Sequence, residues 1–118
     1  MKPISFIFEM FRMISDPQAT FRALADPTRR DILGILVRGD AAIGEIADHF
    51  TMSRPAVKKH LTILEDGGLI EVRAEGRKRL NRLKPKGLAP IVDWFAEFDA
   101  FWDDRLSALK TAIEKDSQ

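Results

Sequence analysis

Cysteine and tyrosine are absent from the 118 residues, and histidine occurs only twice, as His49 and His60. Without cysteine there is no disulfide, no thiolate metal site and no cysteine nucleophile, which fits a reducing cytosol and an expected cytoplasmic location. With two histidines, a transition-metal site would draw most of its ligands from carboxylates. No metal and no cofactor is therefore expected. Neither a glycine-rich phosphate loop nor a nucleophile elbow occurs. The carboxylate pair Asp103-Asp104 falls on an expected long helix, where a solvated role is the plainer reading. These absences leave no site for an enzyme to use. No apolar run approaches the ~18 residues of a membrane helix, so no membrane partner is expected.

What is present is charge of uneven placement. The net charge is only +1. Residues 51–84 nevertheless hold nine Lys/Arg against four Asp/Glu, while the rest of the chain holds ten against fourteen. A basic middle between acidic flanks fits a nucleic-acid footprint, and equally a solvated charged face, so the motif inside the segment has to decide.

The punctuation divides the chain. Ile4–Phe11 is strongly apolar, but Glu9 interrupts it and no small-residue cleavage site follows, so it is not read as a signal peptide. Two readings of residues 1–15 stay open. One is an apolar extension that docks on the body or on a second copy. The other is an over-long start, since Met10 and Met13 also offer starts. Asp16-Pro17 and Asp26-Pro27 each place an N-cap residue before a proline at the first helical position. From Pro27 the stripe Ile32, Leu33, Leu36 and Val37 predicts a helix that Gly39 ends. A shorter helix is expected from about Ile43 to Phe50, with Ile46, Ala47 and Phe50 inward. Ser53 caps a third, running to about Asp66, where Gly67-Gly68 stops it.

Two short strand-like runs, Leu69–Ala74 and Arg77–Leu83, flank Glu75-Gly76 and predict a β-hairpin. Lys84-Pro85-Lys86-Gly87 breaks the chain before a long amphipathic helix from about Leu88 to Lys115. A hairpin directly after the third of these helices marks a winged helix-turn-helix: mainly α, with a small β-hairpin wing, and dimeric. Residues 16–84 form the expected DNA-binding domain, and residues 85–118 a dimerisation helix of the same structural unit.

A helix that enters the major groove needs one apolar face for its own domain and one basic face for the DNA. Val57, Leu61 and Leu64 supply the first. Ser53, Arg54, Pro55, Lys58, Lys59 and Thr62 lie at the N-terminal end or elsewhere on the wheel and are the expected contacts. Helix N-termini point unpaired N–H groups outward, which suits phosphate. Arg54 is placed to read guanine through paired N–H bonds, and Lys58 and Lys59 to hold phosphates. On the hairpin, Arg73, Arg77, Lys78 and Arg79 complete the set, with Arg82 adding charge. So many cations on one ribbon repel one another unless they face an anion. His60 lies at the edge of the apolar face, where a packed or backbone-bonded role is expected ahead of a DNA contact.

The last helix carries an apolar stripe too wide for one small domain to cover. Trp94, Phe95, Phe98, Phe101, Trp102, Leu106 and Leu109, together with Phe21, are therefore expected at the interface of a twofold dimer. Folding back over its own domain is the alternative, and the two can coexist. A small apolar ligand among these aromatics, or a protein partner, remains a further option beside plain packing. The main competing reading is a winged-helix protein-interaction module without DNA binding, against which the basic middle speaks.

Several stretches together resemble the ArsR-type (ArsR/SmtB) regulators. Phe21-Arg22-Ala23-Leu24-Ala25-Asp26-Pro27-Thr28-Arg29-Arg30 resembles their opening, and Ser53-Arg54-Pro55-Ala56-Val57-Lys58-Lys59-His60-Leu61 their recognition helix. Leu64-Glu65-Asp66-Gly67-Gly68-Leu69-Ile70 and Glu75-Gly76-Arg77 resemble the helix end and the wing. Trp94 and Phe101-Trp102-Asp103-Asp104-Arg105-Leu106 are similar to a branch without metal, whose genes often neighbour one for a START-like ligand-binding protein. The resemblance implies a homodimer that binds double-stranded DNA at an inverted repeat and represses transcription. It also implies an interface built by the first and last helices. Ala42 and Gly44 stand where metal-sensing members place a cysteine pair, and no histidine follows His60, so metal sensing is not implied. Lys58 replaces a small hydroxyl residue, and Asn81 stands where a wing tyrosine is common.

Overall fold

The computed structural model describes residues 17–116, the side chains of residues 100–102 apart. The expected extension 1–15, the Asp16 cap and the side chains of Phe101 and Trp102 lie outside the described residues. The elements run α1 (Gln18–Leu24), α2 (Pro27–Val37), α3 (Ile43–Ala47), α4 (Arg54–Asp66), β1 (Ile70–Glu75), β2 (Lys78–Leu83), a 3-10 turn (Pro85–Leu88) and α5 (Ala89–Asp116).

Two caps act where the sequence places them, whereas Pro17, expected as the first residue of α1, is itself the N-cap and α1 starts at Gln18. Asp26 Oδ2 accepts from the Arg29 N–H at 3.1 Å, with Pro27 in the first turn. Ser53 Oγ accepts from the Ala56 N–H at 3.3 Å and starts α4. Each such bond satisfies one of the helix's unpaired donors and contributes about 1 kcal/mol where measured in other helices. At α3 the Glu45 carboxylate accepts from the Ala42 N–H at 3.0 Å, half of a capping box. The regular α-helix stops at Ala47, shorter than the expected Ile43–Phe50, and a turn carries Phe50 back to the core.

The core forms around α4, which meets α1, α2, α3 and β1. Ile32, Ile46, Val57, Leu64 and Ile70 are fully buried and Leu36, Leu61 and Leu69 nearly so. One expected member is missing: Val37 is 72 % exposed. The helical period carries it past the edge of the stripe that Ile32 and Leu36 define. At the C-terminal end of α4 the packing is close. A Cβ on Gly67 would come within 2.9 Å of the Ala19 carbonyl, and Thr20 Oγ1 donates to the Gly67 carbonyl at 3.0 Å, binding α1 to α4.

β1 and β2 pair antiparallel, from Ile70 opposite Leu83 to Glu75 opposite Lys78. The two-residue turn is Gly76-Arg77, one position later than the sequence suggests. Gly76 has φ +62° and Arg77 a negative φ, the pattern of a type II′ turn that suits a twisted hairpin. The register fixes the faces. Ile70, Val72, Arg79 and Asn81 share the side toward α4, and Arg73, Lys78 and Arg82 share the other with Glu71 and Glu75. Glu71 opposes Arg82 and Glu75 opposes Lys78, so acids offset part of the repulsion expected of the wing. Ala41 adds a short bridge beside β2: its N–H donates to the Asn81 carbonyl at 3.1 Å, and the Asn81 N–H donates back at 2.8 Å. Asn81 Nδ2 also donates to the Ala41 carbonyl at 3.2 Å, which explains why this buried polar residue is tolerated.

α5 leaves the body after one contact zone. Ile91 is buried, and Trp94 packs edge-on against Phe21 of α1, centroids 5.4 Å apart. Trp94 also meets Phe95 and Phe98 at 5.3 and 5.0 Å. Every described side chain from Asp103 to Asp116 is exposed. No helix among the described residues is long and apolar enough to cross a membrane.

Candidate nucleic-acid interface

The candidate surface is built by α4 and the wing. Arg54, Lys58 and Thr62 follow one another at i, i+4 and i+8, so they form one stripe along α4. All three are exposed, as are Arg77, Lys78 and Arg79. One cleft between α4 and the wing is lined by Lys58, Thr62 and Arg79, with Val72 and Asn81 on the strand side. An adjoining cleft brings Arg54 together with Arg77, Lys78 and Arg79. Glu45 and Asp48 sit at its α3 end, so its cationic part lies toward the wing tip. The structure thus gathers six of the ten expected DNA contacts around two joined clefts.

The other four are placed differently. Ser53 spends its hydroxyl on the cap of α4. Pro55 occupies the first turn and Lys59 is exposed, but neither lines these clefts. Arg73 is exposed on the ribbon face opposite Arg79. Thr62 Oγ1 donates to the Lys58 carbonyl at 3.0 Å, which leaves its lone pairs and methyl group outward.

Gly44 has a role that composition alone did not reveal. A Cβ there would come within 2.7 Å of Arg54 Nη2, so the missing side chain gives the guanidinium room to lie over α3. One further residue, Arg29, was missed as a structural determinant of the site. Arg29 is only 9 % exposed. Its Nε donates to the Ala23 carbonyl at 2.9 Å and its Nη2 to the Arg22 carbonyl at 2.7 Å, capping the C-terminal end of α1. Its Nη1 lies 3.3 Å from His60 Nδ1. His60 is packed, as expected, but against side chains rather than backbone: Asp26 Oδ2 stands 3.9 Å from the same nitrogen. The signal for Arg29 was its spacing, since Arg29, Ile32 and Leu36 share one helical face.

The Asp26 carboxyl is held below its ordinary value, first by the Arg29 N–H that it accepts and then by the charges of Arg29 and His60, against some desolvation. A lowered folded value means a stabilising contribution that is fully present above the ordinary carboxylate value. It is lost as pH falls through the folded value. Thermal melts should therefore drop as pH falls below about 4. Asp26→Asn, which keeps a capping oxygen but does not titrate, should drop less in that window.

On the expected interface, Phe95 is 54 % exposed and Leu106 and Leu109 are each 57 % exposed. Phe21, Trp94 and Phe98 are half-buried, and Phe21 and Trp94 pack against each other within the chain. Among the described residues no group of three His, Cys, Asp or Glu is placed to hold a metal ion.

Comparison with known proteins bears on this geometry. A family profile described as a helix-turn-helix domain matches residues 24–73. The chain is similar to the HTH-type transcriptional regulator Rv2034 of Mycobacterium tuberculosis, 37 % identical over 85 % of this chain and 91 % of the relative. It is similar to the transcriptional repressor SdpR of Bacillus subtilis, 37 % identical over 66 % of this chain and 87 % of that protein. Among solved structures, the ArsR family transcriptional regulator RHA00566 is 40 % identical with a TM-score of 0.66, covering 73 % of this chain and 89 % of its own. The homodimeric winged helix-turn-helix DNA-binding domain Mb0332 of Mycobacterium bovis is 29 % identical with a TM-score of 0.54, covering 75 % and 80 %.

Proposed function

Since this chain belongs to the ArsR family of winged helix-turn-helix transcriptional regulators, we propose that it acts as a homodimeric repressor that reads an inverted repeat with α4 and grips the flanking backbone with its wing. The observation that carries this reading is the gathering of Arg54, Lys58 and Thr62 with Arg77, Lys78 and Arg79 around two joined clefts. Exposed cations drawn together on one surface repel one another, and a polyanion relieves that repulsion. Arg54 can offer two parallel N–H bonds to a guanine edge, and Lys58 and the wing cations suit phosphates. Ser53 supports them by starting the helix, Lys59 and Arg73 have room to meet phosphates at the rim, and Pro55, which has no N–H to donate, offers only the contact of its ring.

Two copies of α4 must be held at a set separation to read two half-sites, about 34–36 Å or a multiple apart. The exposed stripe of α5, with Phe95, Leu106 and Leu109, supplies a surface for that pairing. Phe98, Phe101 and Trp102 follow the same helical spacing, and Phe21 and Trp94 fix the base of α5 against α1. Each leucine buried on pairing contributes on the order of 1.5–3 kcal/mol. Leu106→Glu with Leu109→Glu should therefore yield a monomer by light scattering at micromolar concentration, with the helical signal of residues 17–91 kept. A dimer that persists in this variant would move the interface elsewhere.

Bound at a promoter, such a dimer excludes other proteins from the same DNA by occupancy, with no chemistry of its own. The reading thus requires neither catalysis nor a cofactor and places the protein with DNA in the cytoplasm. A gel-shift series on palindromes whose half-sites are moved apart by half a helical turn tests it. Binding should weaken at the half turn and return at the full turn. Equal binding at every spacing would exclude a rigid dimer on an inverted repeat.

A further inference from the structure

We propose that His60 and Arg29 are positioning residues for DNA recognition: Arg29, seated on the end of α1, holds α4 through the Nδ1 of His60 and thereby sets the angle at which α4 meets the groove. This rests on the reading of α4 as the DNA-reading helix.

The geometry of the guanidinium makes the hold directional. Its Nε and Nη2 are committed to the Ala23 and Arg22 carbonyls at 2.9 and 2.7 Å. A planar guanidinium with two donors fixed has its remaining donors fixed as well. Nη1 is thereby aimed at His60 Nδ1, 3.3 Å away. For that contact to be a hydrogen bond, Nδ1 must accept, which places the ring proton on Nε2. The charged groups that meet His60 among the described residues are Arg29 and Asp26, both at the start of α2.

His60 itself faces away from the proposed DNA surface. At 100° per residue it lies about 200° around the helix from Lys58. Val57, Leu61 and Leu64 hold α4 against the core by packing, which is non-directional. A directional bond at the edge of that face adds what packing lacks, a fixed rotation of the helix about its own axis. Through α1 the same guanidinium connects to the Phe21–Trp94 contact at the base of α5. One side chain therefore stands between the pairing helix and the reading helix, where a small error in angle is felt at both half-sites of a dimer.

The test uses the full chain as wild type, His60→Asn and His60→Ala, with anisotropy on a duplex selected from a random pool and on a single half-site cut from it. The asparagine oxygen lies near the place of Nδ1 and accepts there. At about pH 8, His60→Ala should lose on the order of tenfold in affinity for the full site, the scale of one hydrogen bond to a charged group, with His60→Asn close to wild type. The single half-site, read by one α4 only, should show the same order of variants with a smaller loss. A fourth protein, His60→Leu, which fills most of the space of the ring without an acceptor, should lose as much as His60→Ala.

Binding by folded His60→Leu that equals wild type would overturn the proposal. So would a loss in His60→Asn equal to that in His60→Leu, since the ring would then act as something other than an acceptor. His60→Leu keeps most of the volume of the ring, so the comparison stands even where His60→Ala folds poorly. Selection that enriches no sequence would sink the DNA reading first and this proposal with it. Specific binding that is indifferent to His60 sinks the proposal alone.

Discussion

Arg54→Ala combined with Lys58→Ala is expected to remove sequence-preferring DNA binding while leaving the protein folded and dimeric. Both side chains are exposed and neither belongs to the core, so the melting temperature should stay near that of the wild type. Arginine paired to a guanine edge discriminates by about 1–3 kcal/mol, and a dimer loses the contact at both half-sites. The expected loss is on the order of a hundredfold or more on the preferred duplex. Lys58 contributes differently. As a phosphate contact it adds affinity without preference, and its loss should make the dependence of log affinity on log salt shallower by about one unit per subunit. Single variants separate the two roles: Arg54→Ala should lose preference, and Lys58→Ala should lose salt sensitivity. A double variant that binds the preferred duplex as tightly as wild type would remove α4 from the interface.

Leu64→Ala is expected to weaken binding by the opposite route, through loss of the fold on warming. Leu64 is fully buried on the inner face of α4, in the cluster that joins this helix to its neighbours. Truncating such a leucine costs about 2–5 kcal/mol, because the cavity collapses only in part. A small domain has only about 5–15 kcal/mol to lose, so the melting temperature should fall by roughly 10 °C or more. Cooled until it is folded, the variant should bind DNA nearly as well as wild type, since Leu64 faces away from the charged stripe. That contrast separates residues that read DNA from residues that hold the reader. Weak binding by folded Leu64→Ala would mean that the core residue also shapes the surface.

The elements were legible because their ends carry strong local chemistry. Asp26-Pro27, Ser53 and Gly67-Gly68 each act through a backbone bond or a chain-stopping geometry that needs no distant partner. The stripe Arg54, Lys58 and Thr62 was legible for the same reason, since helical spacing alone puts these residues on one face. What escaped was set by contacts distant in sequence. Nothing near Arg29 announces that its guanidinium will close the end of α1 and meet a histidine 31 residues away. Asn81 gave no sign that its partner would be Ala41, 40 residues back. Val37 was misplaced because a stripe read from spacing has a centre but no measured width. The division of the wing cations between two faces required the hairpin register, which the turn at Gly76-Arg77 determines.

The most direct measurement of the central claim is selection of duplexes from a random pool, followed by anisotropy on the enriched sequence and a scrambled control at two salt concentrations. The reading of α4 as the DNA-reading helix of a dimer predicts enrichment of an inverted repeat. It predicts a preference over scrambled DNA of about 10³ or more and a steep weakening with salt. No enrichment, together with no binding to either duplex at low salt, would contradict it and would assign the basic surface to a protein partner.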